Sequence, residues 1–333
     1  MTQGRSSTGM CGTLVSALIA LAGVARVNAD ATTLTFREPP ADERSQAAPP
    51  PSGGQSREPS ICPPIPTQAD ESFKVFVDPS IWFVGPSGKF ELPVTSGTGP
   101  GGFTTQGDKI RVNDLDLDAT RLRPAGSIAI STGKWRFSFT GSEYELSRAA
   151  SAAETGGRLG SIAFAPGDRL KLDFSFGTYE INAGYRIADY DFRPGCTQQE
   201  FVVDAYILVH AFVGARIYDV DIAAEGVSGG SAGARASESN VFAEPIIGAR
   251  AEAVIATDFS LVLQLSAGGL PLYSTTSYSF DISLAFQWRP LENVGLQMGW
   301  RQLAFNLTDG KDLDRFEYTG RLAGLFAGLT IRF

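Results

Sequence analysis

One imidazole serves the whole chain: His210 is the single histidine among 333 residues. A hydrolase built on it would need a serine nucleophile or an acid delivered by the fold, because the local run Val209-His210-Ala211-Phe212 supplies neither. A buried, hydrogen-bonded histidine is the simpler role for it. Nine charged side chains share its parity within alternating segments: Arg136, Glu180, Arg186, Asp204, Arg216, Arg250, Glu252, Asp281 and Arg301. Both signs occur together, which suits either an internal salt-bridge network or a charge-lined filter. Asp114, Asp116 and Asp118 lie two apart, so an extended chain would put three carboxylates on one face, a crude calcium site. The run lacks the turn glycine and the spaced ligands of a calcium loop, and a solvated acidic loop is the expectation; no metal or cofactor is implied. Cys62 and Cys196 are far apart in sequence, and a bridge between them would close a long loop.

The elements that must position these residues read as strands. From residue 71 onward no stretch offers the ~20 uninterrupted apolar residues a membrane helix needs. At period two the same windows separate cleanly. In 278–289, Tyr278, Phe280, Ile282, Leu284, Phe286 and Trp288 take one face, opposite Ser279, Asp281, Ser283, Gln287 and Arg289. In 201–217, Val209, Ala211, Val213, Ala215 and Ile217 oppose Asp204, His210, Phe212, Gly214 and Arg216. Ten strands result, at about 73–84, 121–131, 134–147, 169–188, 201–222, 243–257, 259–270, 278–289, 293–307 and 315–333. Several are much longer than the usual soluble strand of about 5–6 residues. A bilayer admits only helices or closed barrels, because each backbone polar group must be paired internally. The fold class expected is therefore all-β: a closed antiparallel transmembrane barrel of about ten strands, with eight to twelve as the range because 85–120 has room for a further hairpin.

Connections alternate in length. Ser131–Lys134, 257–259 and 290–293 are tight turns, whereas 85–120, 148–168 and 223–242 are long loops rich in Gly, Ser and Ala. Such asymmetry places the short turns in the periplasm and the long loops outside. Ahead of the barrel, residues 1–29 carry Arg5, an apolar run at 12–24 and Val27-Asn28-Ala29, the pattern of a cleaved export signal. Residues 30–70 hold nine of the nineteen prolines and read as a disordered periplasmic linker. The domain plan is thus 1–29 signal, 30–70 linker and 71–333 barrel. Loss of Arg5 and Arg26 with the signal would leave 26 basic against 36 acidic residues, net −10. That balance argues against nucleic-acid partners.

The terminal segment RLAGLFAGLTIRF places Leu325, Ala327, Leu329, Ile331 and Phe333 on one face, with Gly328 five before the final Phe333. It resembles the C-terminal assembly signal of Gram-negative outer-membrane β-barrel proteins, departing from it at Phe326, where members carry a polar residue. The run 109–147, with its Asp-Leu-Asp repeat and a hairpin leading into Trp135-Arg136-Phe137-Ser138, resembles a stretch of small uncharacterised proteobacterial barrels. The resemblance implies a Gram-negative outer-membrane location. Its partners would be outer-membrane lipid, lipopolysaccharide and the barrel-assembly machinery, with the mature chain a monomer. It implies no activity. Three roles remain open to the sequence: a structural or surface role through the long loops with a largely plugged lumen, a narrow channel for small solutes, and a hydrolase using His210. The expectation is the first, without catalysis.

Overall fold

The computed structural model describes residues 73–94, 106–191, 205–255 and 258–333. In chain order the strands are β1 (Lys74–Glu91), β2 (Ile110–Arg111), β3 (Arg121–Thr132), β4 (Trp135–Ala152), β5 (Gly157–Leu159), β6 (Ile162–Phe164) and β7 (Arg169–Asp191). They continue with β8 (Ala205–Gly226), β9 (Arg235–Ile255), β10 (Phe259–Leu272), β11 (Thr275–Trp288), β12 (Val294–Asp309) and β13 (Phe316–Arg332). Ten of them pair antiparallel, each with its neighbour in the order β1-β3-β4-β7-β8-β9-β10-β11-β12-β13, and β13 closes back onto β1. The sheet has no free lateral edge along this circuit, so the wall satisfies its own backbone, as a membrane requires. The expected ten-strand closed barrel is the observed one.

Alternation decides which side chains face out. Ile81, Phe83, Phe137, Phe139, Val213, Ile247, Leu261, Leu263, Phe280, Leu284, Phe286, Met298, Leu325 and Leu329 are exposed on the outer surface. From Tyr278 to Trp288 this surface rises about 33 Å along the strand, or about 25 Å along an axis inclined by ~40°, the height of a transmembrane band. Aromatics mark the end bearing the short turns: Trp135 packs edge-on against Tyr185 at 5.0 Å, and Phe259 stacks with Trp288 at 6.4 Å. At the other rim Tyr273 and Tyr278 are exposed.

Towards the long-loop end the polarity of the wall reverses. Glu143, Glu145, Lys171 and Asp221 now point outward and are exposed. Tyr144, Leu146, Leu170, Leu172, Phe174, Phe176, Tyr218, Val220 and Ile222 point inward and are buried. These ends behave as a water-soluble sandwich would, polar outside and apolar inside. The reversal explains why several strands run past their expected limits. β1 continues to Glu91, β4 to Ala152, β8 to Gly226, and β9 begins at Arg235 rather than 243. A pattern of apolar-out, polar-in fails there although pairing continues.

The long connections cover this apolar interior. The β5–β6 hairpin, within the stretch expected to be a plain loop, buries Leu159, Ile162 and Phe164. Leu92, Val94, Ile110, Val112, Leu115 and Leu117 from the β1–β3 connection are buried with them. Among the described residues, that connection adds only the two-residue β2 and no further barrel strand. The aspartates do not form the extended row considered above. Asn113–Leu115 is a short 3-10 turn, Asp116 is left-handed at φ 57°, and its carboxylate pairs with Arg148 at 3.4 Å. The turn rotates successive side chains away from a common face.

Candidate functional site

The inward-facing residues form two layers with different chemistry. Nearest the loops is an aromatic septum. Phe176 stacks with Phe305 at 4.6 Å, and Tyr318 stands edge-on to Phe305 at 4.8 Å and to Phe174 at 5.8 Å. Tyr218 and Phe90 extend the cluster at 5.9 and 6.3 Å. All six rings are buried. Aromatic rings at these separations and angles fill space at the density of a protein interior.

Below it lies a buried charge node centred on Arg216, whose residue exposure is 0%. Strand pairing sets Arg216 directly opposite Glu180 on one side and Glu244 on the other. Its Nη2 donates to Glu180 Oε2 at 2.6 Å and to Ser266 Oγ at 2.7 Å, and its Nη1 donates to Ser279 Oγ at 2.6 Å. Asp281 lies 3.4 Å away and is held from the other side by Arg301, whose Nη2 donates to it at 2.5 Å. Asn182 donates to Glu180 at 2.5 Å, Tyr218 donates to Glu244 at 2.8 Å, and Ser279 also donates to Glu244. Six strands, from β7 through β12, are thereby tied across the lumen. Charges this deep persist only because each is met by opposite charge and hydrogen bonds.

Further towards the short turns is a polar cavity of about 150 Å³. It is continuous with the node, whose Glu180, Asn182, Asp281 and Arg301 line it together with Asp78, Ser127, Arg136, His210, Arg250 and Gln264, and Trp82, Phe212 and Phe326 form its apolar wall. Arg301 lies over the Trp82 ring at 5.5 Å, and Trp82 Nε1 donates to the Gly324 carbonyl at 3.3 Å. Arg186, His210, Arg250, Gln264, Ser283 and Arg301 are successive cross-strand partners, so they form one inward row around the barrel.

Of the residues named from sequence, Glu180, Arg216, Asp281 and Arg301 come together in the node. Arg136, His210 and Arg250 line the cavity, Glu252 pairs with Arg250 at 3.3 Å, and Arg186 pairs with Asp189 at 3.6 Å. Asp204, Cys62 and Cys196, with the signal and linker segments, lie outside the described residues. Gly328 faces inward between Ser80 and Gln297, Ile331 pairs with Val77 and Val294, and Phe333 exchanges two backbone hydrogen bonds with Val75, 3.1 and 2.9 Å. The reading from sequence passed over Glu244, Ser266 and Asp78, and placed Ser279 on the polar face without singling it out. Glu244 shares the parity of Arg250 and Glu252, which was signal enough to place it inside. Among the described residues no three of His, Cys, Asp and Glu gather as a metal-ligand set.

No family model matches the chain, and no curated protein does. Solved structures similar in chain course include the outer membrane protease OmpT from Escherichia coli, at 10% identity over 79% of this chain and 98% of that one, TM-score 0.42. Neisserial surface protein A follows at 15% identity, 78% and 97% coverage, TM-score 0.26. A Pseudomonas aeruginosa FadL homologue gives 9% identity, 78% and 90% coverage, TM-score 0.24.

Proposed function

We propose that the chain is a Gram-negative outer-membrane β-barrel whose lumen is shut, and whose role is structural or surface-facing at its long-loop end. On this reading the short turns face the periplasm and the loops face outward, as the general plan of such barrels has it. The aromatic septum carries the proposal. Phe174, Phe176, Tyr218, Phe305 and Tyr318 meet across the lumen, and the β5–β6 hairpin packs its apolar side chains over them. Barrels of eight strands have interiors just filled by side chains, and ten strands lie near that limit. His210 gives a hydrolase little support, since its cross-strand partners are Arg186 and Arg250 rather than a carboxylate that would orient an imidazole base.

The test is planar-bilayer conductance of the refolded protein, after a heat-dependent gel shift has established closure. Silence is expected. Discrete, reproducible steps would overturn the closed-lumen reading in favour of a narrow channel.

A further inference from the structure

On the outer wall, β13, β1 and β2 carry a group of cations that the barrel leaves without carboxylates. Arg321 on β13 stands opposite Ser87 on β1 and donates to its hydroxyl through Nε at 3.1 Å. One step nearer the loops, Lys89 is directly opposite Arg111 on one side and Thr319 on the other. All three cations are exposed, and none forms an ion pair among the described residues. The next acid along β13, Glu317, accepts from Lys109 at 2.6 Å and from Arg315 rather than from any of the three. Cations elsewhere on this rim are matched: Lys171 pairs with Asp173 at 3.8 Å, and Arg235 with Glu225 at 2.8 Å. Like charges directly opposite across a ladder disfavour it, and an anion between Lys89 and Arg111 would relieve that cost.

Height on the wall says what kind of anion fits. Tyr278, Asn306, Thr319, Lys89 and Arg111 share one cross-strand row, and Phe280, Ala304, Arg321 and Ser87 share another, one step towards the short turns. Tyr278 and Phe280 are the last exposed rings of the apolar band on β11. Four residues along β13 from Arg321, Leu325 lies in a row with Trp300, Phe83 and Leu122, all exposed. That separation is about 13 Å along the strand, or about 10 Å in height at a tilt of ~40°. The cations thus stand where headgroups meet the band, with apolar wall beneath them. The walls of β4 and β8 differ: Glu143, Glu145 and Asp221 point outward there and would repel an anion. We infer that Arg321, Lys89 and Arg111 dock the phosphate of a phosphorylated lipid, whose acyl chains lie on Phe83, Leu122 and Leu325. The guanidinium forks match phosphate oxygens in pairs, and Lys89 adds a compact charge. The inference rests on the wall facing lipid and not on the lumen being shut.

The experiment is native mass spectrometry of the refolded full chain in an uncharged detergent, each sample first shown folded by its heat-dependent gel shift. The probes are phosphatidic acid and phosphatidylcholine with the same acyl chains, and inorganic phosphate as competitor. Preferential retention of phosphatidic acid is expected. Its affinity should fall at least tenfold in the triple variant Lys89→Gln, Arg111→Gln, Arg321→Gln, and stay unchanged in Lys171→Gln. The single variants should each show part of that loss, and they decide the matter if the triple variant does not fold. Equal retention of the two lipids by the folded wild type overturns the inference. So does undiminished preference in the folded variants, or an equal loss in Lys171→Gln. Displacement of phosphatidic acid by inorganic phosphate at equal concentration would make this a free-phosphate site and overturn the lipid source. The readout does not involve conduction, so this inference and the closed-lumen reading fail separately.

Discussion

At the scale of single residues the node around Arg216 makes the sharpest demand. Glu180, Glu244 and Asp281 converge on it, and among the described residues Arg301 is the one other cation paired with them. Arg216→Met removes the cation and leaves buried carboxylates facing one another. The expected loss is about 3–5 kcal/mol, read as a shift in the denaturant midpoint of the refolded barrel. A loss below ~1 kcal/mol would mean that the carboxylates relax or find other partners. The charges at the long-loop rim behave differently. Glu317 accepts from Lys109 at 2.6 Å and from Arg315. Burial works against its carboxylate, but these two cations outweigh burial and hold Glu317 below the usual range. A depressed folded-state pKa contributes stability above the unfolded value and loses it as pH falls through the folded one. Nearby Glu91 runs the other way: burial raises it, so its contribution is complete below the unfolded value and lost as pH rises through the folded one. Comparing denaturant midpoints at pH 7 and pH 3, Glu317→Gln is expected to lose less than the wild type. Equal losses would deny Glu317 a part in acid sensitivity.

At the scale of elements, closure depends on how tightly β13 meets β1. A Cβ on Gly324 would stand 1.9 Å from the Phe83 carbonyl oxygen, and one on Gly328 would stand 2.3 Å from that of Pro79. These contacts are with backbone, so neither strand can yield without loss of pairing. Gly324→Ala is expected to reduce or abolish the heat-shifting folded form on gels. Ala327→Gly, on the outward face, is expected to keep it. Equal folding of the two would show that the seam can shift by several tenths of an ångström at little cost. The same seam explains why the assembly-signal positions cannot be judged from alternation alone: Gly328 is inward and close-packed, whereas Ile331 and Phe333 belong to the outward face and the turn-side rim.

At the scale of the molecule, the wall has two dielectric regimes. Within the transmembrane band its outside is apolar and its inside polar; beyond the band this is inverted. Tryptophans sample the difference. Trp300 is outward, opposite Leu284 near mid-band, while Trp135 and Trp288 adjoin the short turns and Trp82 faces the lumen. In single-tryptophan variants reconstituted with brominated lipids, Trp300 is expected to be quenched best by bromines deep in the acyl chains. Trp135 and Trp288 should respond to shallow bromines, and Trp82 least of all. Strong quenching of Trp82 would place the lumen, not the outer wall, against lipid.

The sequence by itself put the barrel strands at about ten, within a range of eight to twelve, and gave their inward face within the membrane band, because a pleated strand sends successive side chains to opposite sides and a membrane band needs one side apolar throughout. Parity alone placed Arg216, His210 and Arg250 on that inward face. It did not determine which inward residues meet. That depends on the stagger between strands, which brings Glu180 and Glu244 beside Arg216 and sets His210 between two arginines. Nor did it reveal the septum, since Phe176, Phe305 and Tyr318 sit far apart in sequence and, at inward parity, their apolar character breaks the expected rule of a polar interior. Only the closed tertiary structure, where the wall leaves the lipid and its polarity turns over, decided that the lumen ends in packed rings.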